Sequence, residues 1–182
     1  MTLVKDKSTL SDTETIRERA RKHIENGAVT ASYRADRDAV LEMLDSALAT
    51  ELVCALRYRH HHFLANGLQA EAAAREFLEH AHQEQEHADR IAARIVQLGG
   101  EPDFSPRKLH ERSHSEYGQA TELEDMLRED LVAERIAVET YSEMIRFLGN
   151  DDPTTRRMLE DVLAVEEEHA DDLAGLLERG GV

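Results

Sequence analysis

Two short stretches decide the fold: Glu84-Gln85-Glu86-His87 and Glu166-Glu167-Glu168-His169. Each places a carboxylate and an imidazole three residues apart, which on a helix puts both on one face. Each has an upstream partner, a Glu followed seven residues later by a Tyr: Glu51 with Tyr58, and Glu134 with Tyr141. The upstream pairs are related by an offset of 83 residues and the Glu-x-x-His pairs by 82. Four Glu and two His in this arrangement are what a four-helix bundle projects inward to hold a di-iron or di-manganese site. Glu-x-x-His alone is a weak signal in a chain with 38 acidic residues. The weight lies in the coincidence of two copies, two upstream Glu and one nearly constant offset.

Working outward, each of these residues interrupts an apolar helical stripe. Asp36 is the expected cap of a first long helix running to Gly67, with Val40, Leu44, Ala47, Glu51, Ala55 and Tyr58 on one side. A second runs from about Ala70 to Leu98, where Gly99-Gly100 stops it, and Glu84 takes a seam position among Phe77, Ala81, Ala88 and Ile91. Thr121 and Glu124 form a capping-box pattern for the third, which carries Leu127, Glu134 and Tyr141 and ends at Gly149. Asp152 and Pro153 start the fourth, with Leu159, Val162, Glu166, His169 and Leu173 in its stripe and Gly180-Gly181 as its stop. Residues 99–121 hold two of the three prolines and are long for a turn between neighbours. They suit a crossover between parallel second and third helices, with a short helix around Pro106 to His114. The chain therefore divides into an arm over 1–35 and an all-α four-helix bundle over 36–182. In the arm, a Ser11-x-x-Glu14 box predicts a short helix with a stripe of Ile16, Ala20 and Ile24, packed on the bundle or on a neighbouring subunit.

Composition agrees. Aromatic residues are 4% and Trp is absent, which leaves little for a sheet. A net charge of −16 disfavours general nucleic-acid binding. The single cysteine, Cys54, excludes an intrachain disulfide and points to a reducing, cytoplasmic compartment. No apolar run reaches signal-peptide or membrane-spanning character.

A lone buried carboxylate costs several kcal/mol or shifts its pKa until neutral. Four in one core call for cations, and two divalent ions balance them. Oxygen-rich ligands with one imidazole per ion suit iron or manganese better than a closed zinc site. The alternative is that these are paired surface charges on a plain bundle.

At this point the sequence resembles the bacterioferritins, within the wider ferritin-like di-iron family, from about residue 36 to 178. The resemblance rests on Glu51-Leu52-Val53, Glu84-x-x-His87-Ala88-Asp89, Asp130-Leu131-Val132-Ala133-Glu134 and Glu166-x-x-His169. It implies that two iron ions per subunit, with manganese or zinc as substitutes, are bridged by Glu84 and Glu166. Glu51 and His87 would complete one shell, Glu134 and His169 the other. Tyr58 would lie beside the centre as a hydrogen-bonding or redox neighbour, and for Tyr58 and Tyr141 a plain seam aromatic is the competing reading. The implied activity is oxidation of Fe(II) by O2 or H2O2, with Fe(III) stored in a cage. A Dps-like role in DNA or peroxide protection, or a di-manganese catalase or oxidase on the same bundle, are the rivals.

The chain departs from the bacterioferritin pattern in places. Gln85 stands where those proteins carry the haem-ligating Met, which argues against haem. Glu79 and Gln83 replace the His and Asp of their inner-surface iron site. Thirteen residues follow His169 and complete the fourth helix, leaving none for the fifth helix of twenty-four-subunit cages. With the arm and the long crossover, this looks more like Dps-like ferritins, so a dodecamer is expected ahead of a 24-mer. Some of those relatives add a cysteine pair near the site, which Cys54 alone cannot supply. Of His60-His61-His62, only His62, four after Tyr58, is expected near the metal face. His80 reads as a neighbour of the centre or a neutral core histidine, and His110 and His114 as exposed.

Overall fold

The computed structural model describes residues 10–65 and 70–180. Gly67, Gly181 and the basic Lys5 and Lys7 lie outside them. Four long helices make the bundle: α2 (Arg37–Leu64), α3 (Glu71–Gln97), α5 (Leu123–Leu148) and α6 (Pro153–Gly180). A short arm helix, α1 (Thr13–Ala20), precedes them, and a one-turn helix, α4 (Leu109–Arg112), sits in the crossover. No described helix is long and apolar enough to cross a membrane.

Two of the expected caps form. Asp36 accepts the backbone N–H groups of Asp38 and Ala39. Asp152 accepts the N–H and the hydroxyl of Thr155, and its carboxylate also takes Arg94 of α3 and the Tyr33 hydroxyl. One buried residue thus starts α6 and ties it to the end of α3 and, through Tyr33, to the last residues of the arm. The two capping boxes do not form. Asp12, not Ser11, caps α1 by accepting the Thr15 N–H. Glu122 starts α5 without a side-chain cap, and Glu124 instead pairs with Arg128 one turn on. The arm stripe is not an internal core: α1 buries none of its residues, and Ile16 and Ile24 are exposed.

The crossover explains the parallel course of α3 and α5. It begins beside the start of α2, where Arg112 meets Asp45 at 2.6 Å, and Asp45 also accepts the Asp103 N–H. It then climbs α2: the His114 N–H donates to Thr50, and Arg57 donates to Ser115 and the Glu116 carbonyl. It therefore delivers the chain to the far end of the bundle before α5 begins.

Two apolar plugs fill the interior. One gathers Leu44, Leu48, Ile91, Ile95, Leu148, Leu159 and Val162; the other Tyr58, Phe77, Ala81, Met126, Leu127 and Leu173. Each fully buried Leu or Ile contributes roughly 1.5–3 kcal/mol. Between the plugs lies a belt of polar residues.

Candidate metal centre

On every long helix, the belt residue interrupts the apolar stripe at mid-length. Glu51, Glu84, His87, Glu134, Glu166 and His169 meet there, none more than 3% exposed. Their donor atoms form two groups, Glu51–Glu84–His87–Glu166 and Glu84–Glu134–Glu166–His169, each with its atoms within 4.8 Å of one another. Glu84 and Glu166 belong to both. His87 Nδ1 stands 2.9 Å from Glu166 Oε1 and 3.2 Å from Glu51 Oε2. His169 Nδ1 stands 3.3 Å from Glu84, 3.4 Å from Glu166 and 3.8 Å from Glu134. Several of these contacts are short without being aligned. Both Glu166 oxygens, Glu84 Oε1 and His169 Nδ1 have no hydrogen-bond partner among the described residues. Buried polar atoms left without partners normally cost about 1–3 kcal/mol each. A set of oxygens and one imidazole nitrogen converging on each of two points is a donor set that divalent cations complete.

The electrostatics agree with a site that expects positive charge. Burial, and then the charge of Glu166, push the Glu84 carboxyl well above the usual carboxylate range. Burial and the charge of Glu51 raise Glu166 to about 7. Burial alone would raise Glu134 as well, but contacts with His169 outweigh it and bring it to about 2. Burial disfavours charge on both imidazoles, yet the facing carboxylates win: His87 is raised to about 9 by Glu166 and Glu51, and His169 to about 10 by Glu134 and Glu166.

The two tyrosines occupy matched positions. The Tyr58 hydroxyl donates to Glu134 Oε1 and the Tyr141 hydroxyl to Glu51 Oε1. Each repeat thus supplies the phenol that holds the other repeat's single Glu. Burial, followed by the nearby carboxylates, pushes both phenols well above their ordinary range.

The surroundings hold residues that sequence reasoning placed elsewhere or passed over, together with His80, which it expected beside the centre or as a neutral core histidine. Gln83 accepts a hydrogen bond from His169 Nε2 at 2.8 Å, which leaves Nδ1 facing the carboxylates. His80 stacks on His169 with ring centroids 3.9 Å apart, and burial with the His169 charge lowers it to about 3. His62 is not at the metal face; its Nδ1 donates to the Ala74 carbonyl at 2.6 Å. The buried member of the triplet is His61, which donates to Asp130 at 2.8 Å. Asp130 also takes Arg57 at 2.7 Å, so a buried Arg–Asp–His cluster lies one turn before Glu134. Burial raises the Cys54 thiol to about 12 and makes it inert. Gln85 points away from the centre and donates to Asp89. His110 and His114 are exposed.

Residues 41–180 match the family described as ferritin-like domain. The sequence is 31% identical to the "DNA protection during starvation protein" of Pyrococcus furiosus over 141 residues, 74% of either chain. It is 29% identical to a bacterioferritin of Desulfovibrio desulfuricans over 141 residues, 76% of this chain and 75% of that one. Among solved structures, the dodecameric thioferritin of Bacteroides fragilis, a bacterioferritin-related protein, superposes with a TM-score of 0.76 at 32% identity, covering 79% of this chain and 87% of its own. The six-residue belt, the long crossover and these likenesses lead to one assignment: the chain belongs to the ferritin-like family.

Proposed function

We propose that the protein is a ferroxidase that binds two Fe(II) per chain, oxidises them with O2 or H2O2, and stores Fe(III) inside a closed oligomer. The observation that carries this reading is the sharing of Glu84 and Glu166 by both donor groups, with buried oxygens that have no hydrogen-bond partner among the described residues. In this reading Glu84 and Glu166 bridge the two ions. Glu51 and His87 complete one shell, and Glu134 and His169 the other. Iron is the substrate, and a bound pair gives up two electrons to the oxidant. The protein's own part is positional. The Tyr58 and Tyr141 hydroxyls orient Glu134 and Glu51, and Gln83 orients His169. The two apolar plugs keep bulk water from the ends of the belt. In the metal-free chain the imidazoles carry protons that loading must release. Two oxygen-rich shells with one imidazole each also accept manganese, so metal analysis separates this function from a di-manganese catalase or oxidase.

The oligomer proposed is a dodecamer, on the strength of the dodecameric Bacteroides fragilis relative and the closed symmetry usual for homo-oligomers. The name of the Pyrococcus furiosus relative favours a second reading, protection of DNA. A net charge of −16 opposes direct DNA binding, so any such protection would run through iron rather than contact.

The test pairs chemistry with mass. Glu84→Ala and Glu166→Ala should each abolish fast Fe(II) oxidation while leaving the bundle folded, because each removes a carboxylate common to both donor groups and leaves the two apolar plugs untouched. Light scattering should give the mass of twelve 20.6-kDa chains. Full-rate oxidation by the double variant would refute the site. A stable dimer would replace storage with a soluble di-iron oxidase.

A further inference from the structure

Beside the six-residue belt, the described residues bring together one more group of metal-ligand type: Glu76, His80 and Asp172. Glu76 and His80 lie one turn apart on α3, and Asp172 faces them from α6. Their donor atoms are within 4.8 Å of one another. His80 is 1% exposed, and its Nδ1 has no hydrogen-bond partner among the described residues. Its Nε2 stands 3.4 Å from Glu76 Oε1 and 3.9 Å from Asp172 Oδ2. These gaps exceed a good hydrogen bond. They approach the spacing of two donors on one ion, roughly 3–3.5 Å when each lies about 2.0–2.2 Å from the metal.

The internal repeat shows that packing does not demand this group. The offset of 82 that takes Glu84 to Glu166 takes Glu76 to Met158 and His80 to Val162, and it takes Arg90 to Asp172. Val162 is fully buried in the apolar core, so an aliphatic side chain suffices at that station of the bundle. Arg90 is spent in an ion pair with Asp161. One half of the repeat therefore carries a buried imidazole and two carboxylates where the other carries Val, Met and Arg. The group is also placed to matter. The His80 ring stacks on His169, while the Asp172 side chain is 49% exposed and Glu76 31%. It bridges solvent and the ring of one candidate ligand.

We propose that Glu76, His80 and Asp172 form a third divalent-cation site, with one nitrogen and two carboxylate donors, at the solvent side of His169. Such a set accepts Fe(II), Mn(II), Co(II) and Zn(II). An ion held there keeps part of its water shell and waits one aromatic stack from the belt. That the physiological ion is Fe(II) rests on the function proposed above; the site itself rests on its own three residues.

Co(II), which does not oxidise under the conditions used for Fe(II), is the probe. Crystals of the full chain soaked in Co(II) should show three anomalous peaks per chain, one of them beside His80 Nε2, and equilibrium dialysis should count three ions. The combined variant Glu76→Gln, Asp172→Asn changes two partly exposed residues and should keep the oligomer mass. It should lose the His80 peak alone and lower the count from three to two. Glu84→Ala with Glu166→Ala should lose the other two peaks and keep the third. No peak beside His80 in the parent protein, or a peak there that survives the carboxylate changes, overturns the proposal. A peak beside His80 with none at Glu84 and Glu166 supports it and overturns the di-iron reading instead.

Discussion

Gln83→Leu isolates the contribution of a single second-layer contact. His169 Nε2 donates to Gln83 Oε1 at 2.8 Å, and this bond leaves Nδ1 within 3.3–3.8 Å of Glu84, Glu166 and Glu134. A ligand imidazole is fixed in tautomer and rotation by whatever its other nitrogen donates to. Leucine is of similar bulk but leaves the Nε2–H without an acceptor in a buried place. Losing such a partner typically weakens metal binding about 10–100-fold, or roughly 1.4–2.7 kcal/mol. The repeat makes the prediction directional. The position equivalent to Gln83 is Val165, so His87 is not held in the same way. Competition titration of Co(II) against a chelator should therefore show one of the two belt ions weakened by that factor and the other unchanged. Gln83→Glu, whose carboxylate accepts the same proton, should restore it. Affinities within twofold of the parent would refute the positioning role. Equal weakening of both ions would trace the effect to the neighbouring Glu84 rather than to His169.

Tyr58→Phe and Tyr141→Phe each delete a phenol donor to a buried carboxylate, a bond worth about 1.5–3 kcal/mol when the partner is charged. Each should lower the melting temperature of the metal-free protein at fixed chain concentration while the ion count stays the same; an unchanged melt would show that the phenols merely fill space. The metal-free protein should also lose stability as pH rises. His87 and His169 are raised to about 9 and about 10, so their contribution is complete below the unfolded value near 6.5 and is lost through the window 7–10. Glu166, raised to about 7, adds in the same direction from about pH 4.5 upward, because the folded chain holds its proton longer. Denaturant titrations at pH 6 and pH 9.5 should differ in that sense, and equal midpoints would contradict the protonation pattern. Haem added to the purified protein should give no bis-thioether spectrum, since Gln85 offers no sulfur and is held by Asp89; a stoichiometric spectrum would mean that another methionine serves.

Much of the fold was legible because each long helix carries its own stop or start. Asp36 and Asp152 precede apolar stripes and Gly149 follows one, so the chemistry of those ends is local; Gly149 adopts a φ of +51°, which few other residues tolerate. The capping boxes failed for an equally local reason. Ser11 has Asp12 beside it as a competing acceptor, and Glu124 has Arg128 one turn away as a better partner. A four-residue pattern cannot rank such competitors. The path of the crossover was beyond sequence reading. It is held by Arg112 to Asp45 and Arg57 to Ser115, pairs separated by 67 and 58 residues with no periodicity to announce them.

The candidate ligands were readable because a carboxylate in the middle of an apolar stripe breaks a pattern, and here it breaks it four times at repeating intervals. Their supporting residues break nothing. His60, His61 and His62 are alike on paper, and only the rotation of α2, about 100° per residue, selects His61 for the buried pair with Asp130. Gln83 likewise sits among polar neighbours on α3, whereas His80, one turn before Glu84, was readable as a neighbour of the centre. What the repeat does permit is a comparison of one half with the other. It supplies matched Glu, His and Tyr on both sides, yet opposite Gln83 and His80 it places Val165 and Val162. The two candidate ion positions are therefore built from equivalent donors in inequivalent surroundings. The candidate position at Glu134 and His169 has an imidazole fixed by Gln83 and stacked on His80, whereas His87 has Glu51 and Glu166 as its nearest polar contacts. Sequential rather than simultaneous loading is the consequence to expect from that difference, because two sites of unequal rigidity do not share one affinity.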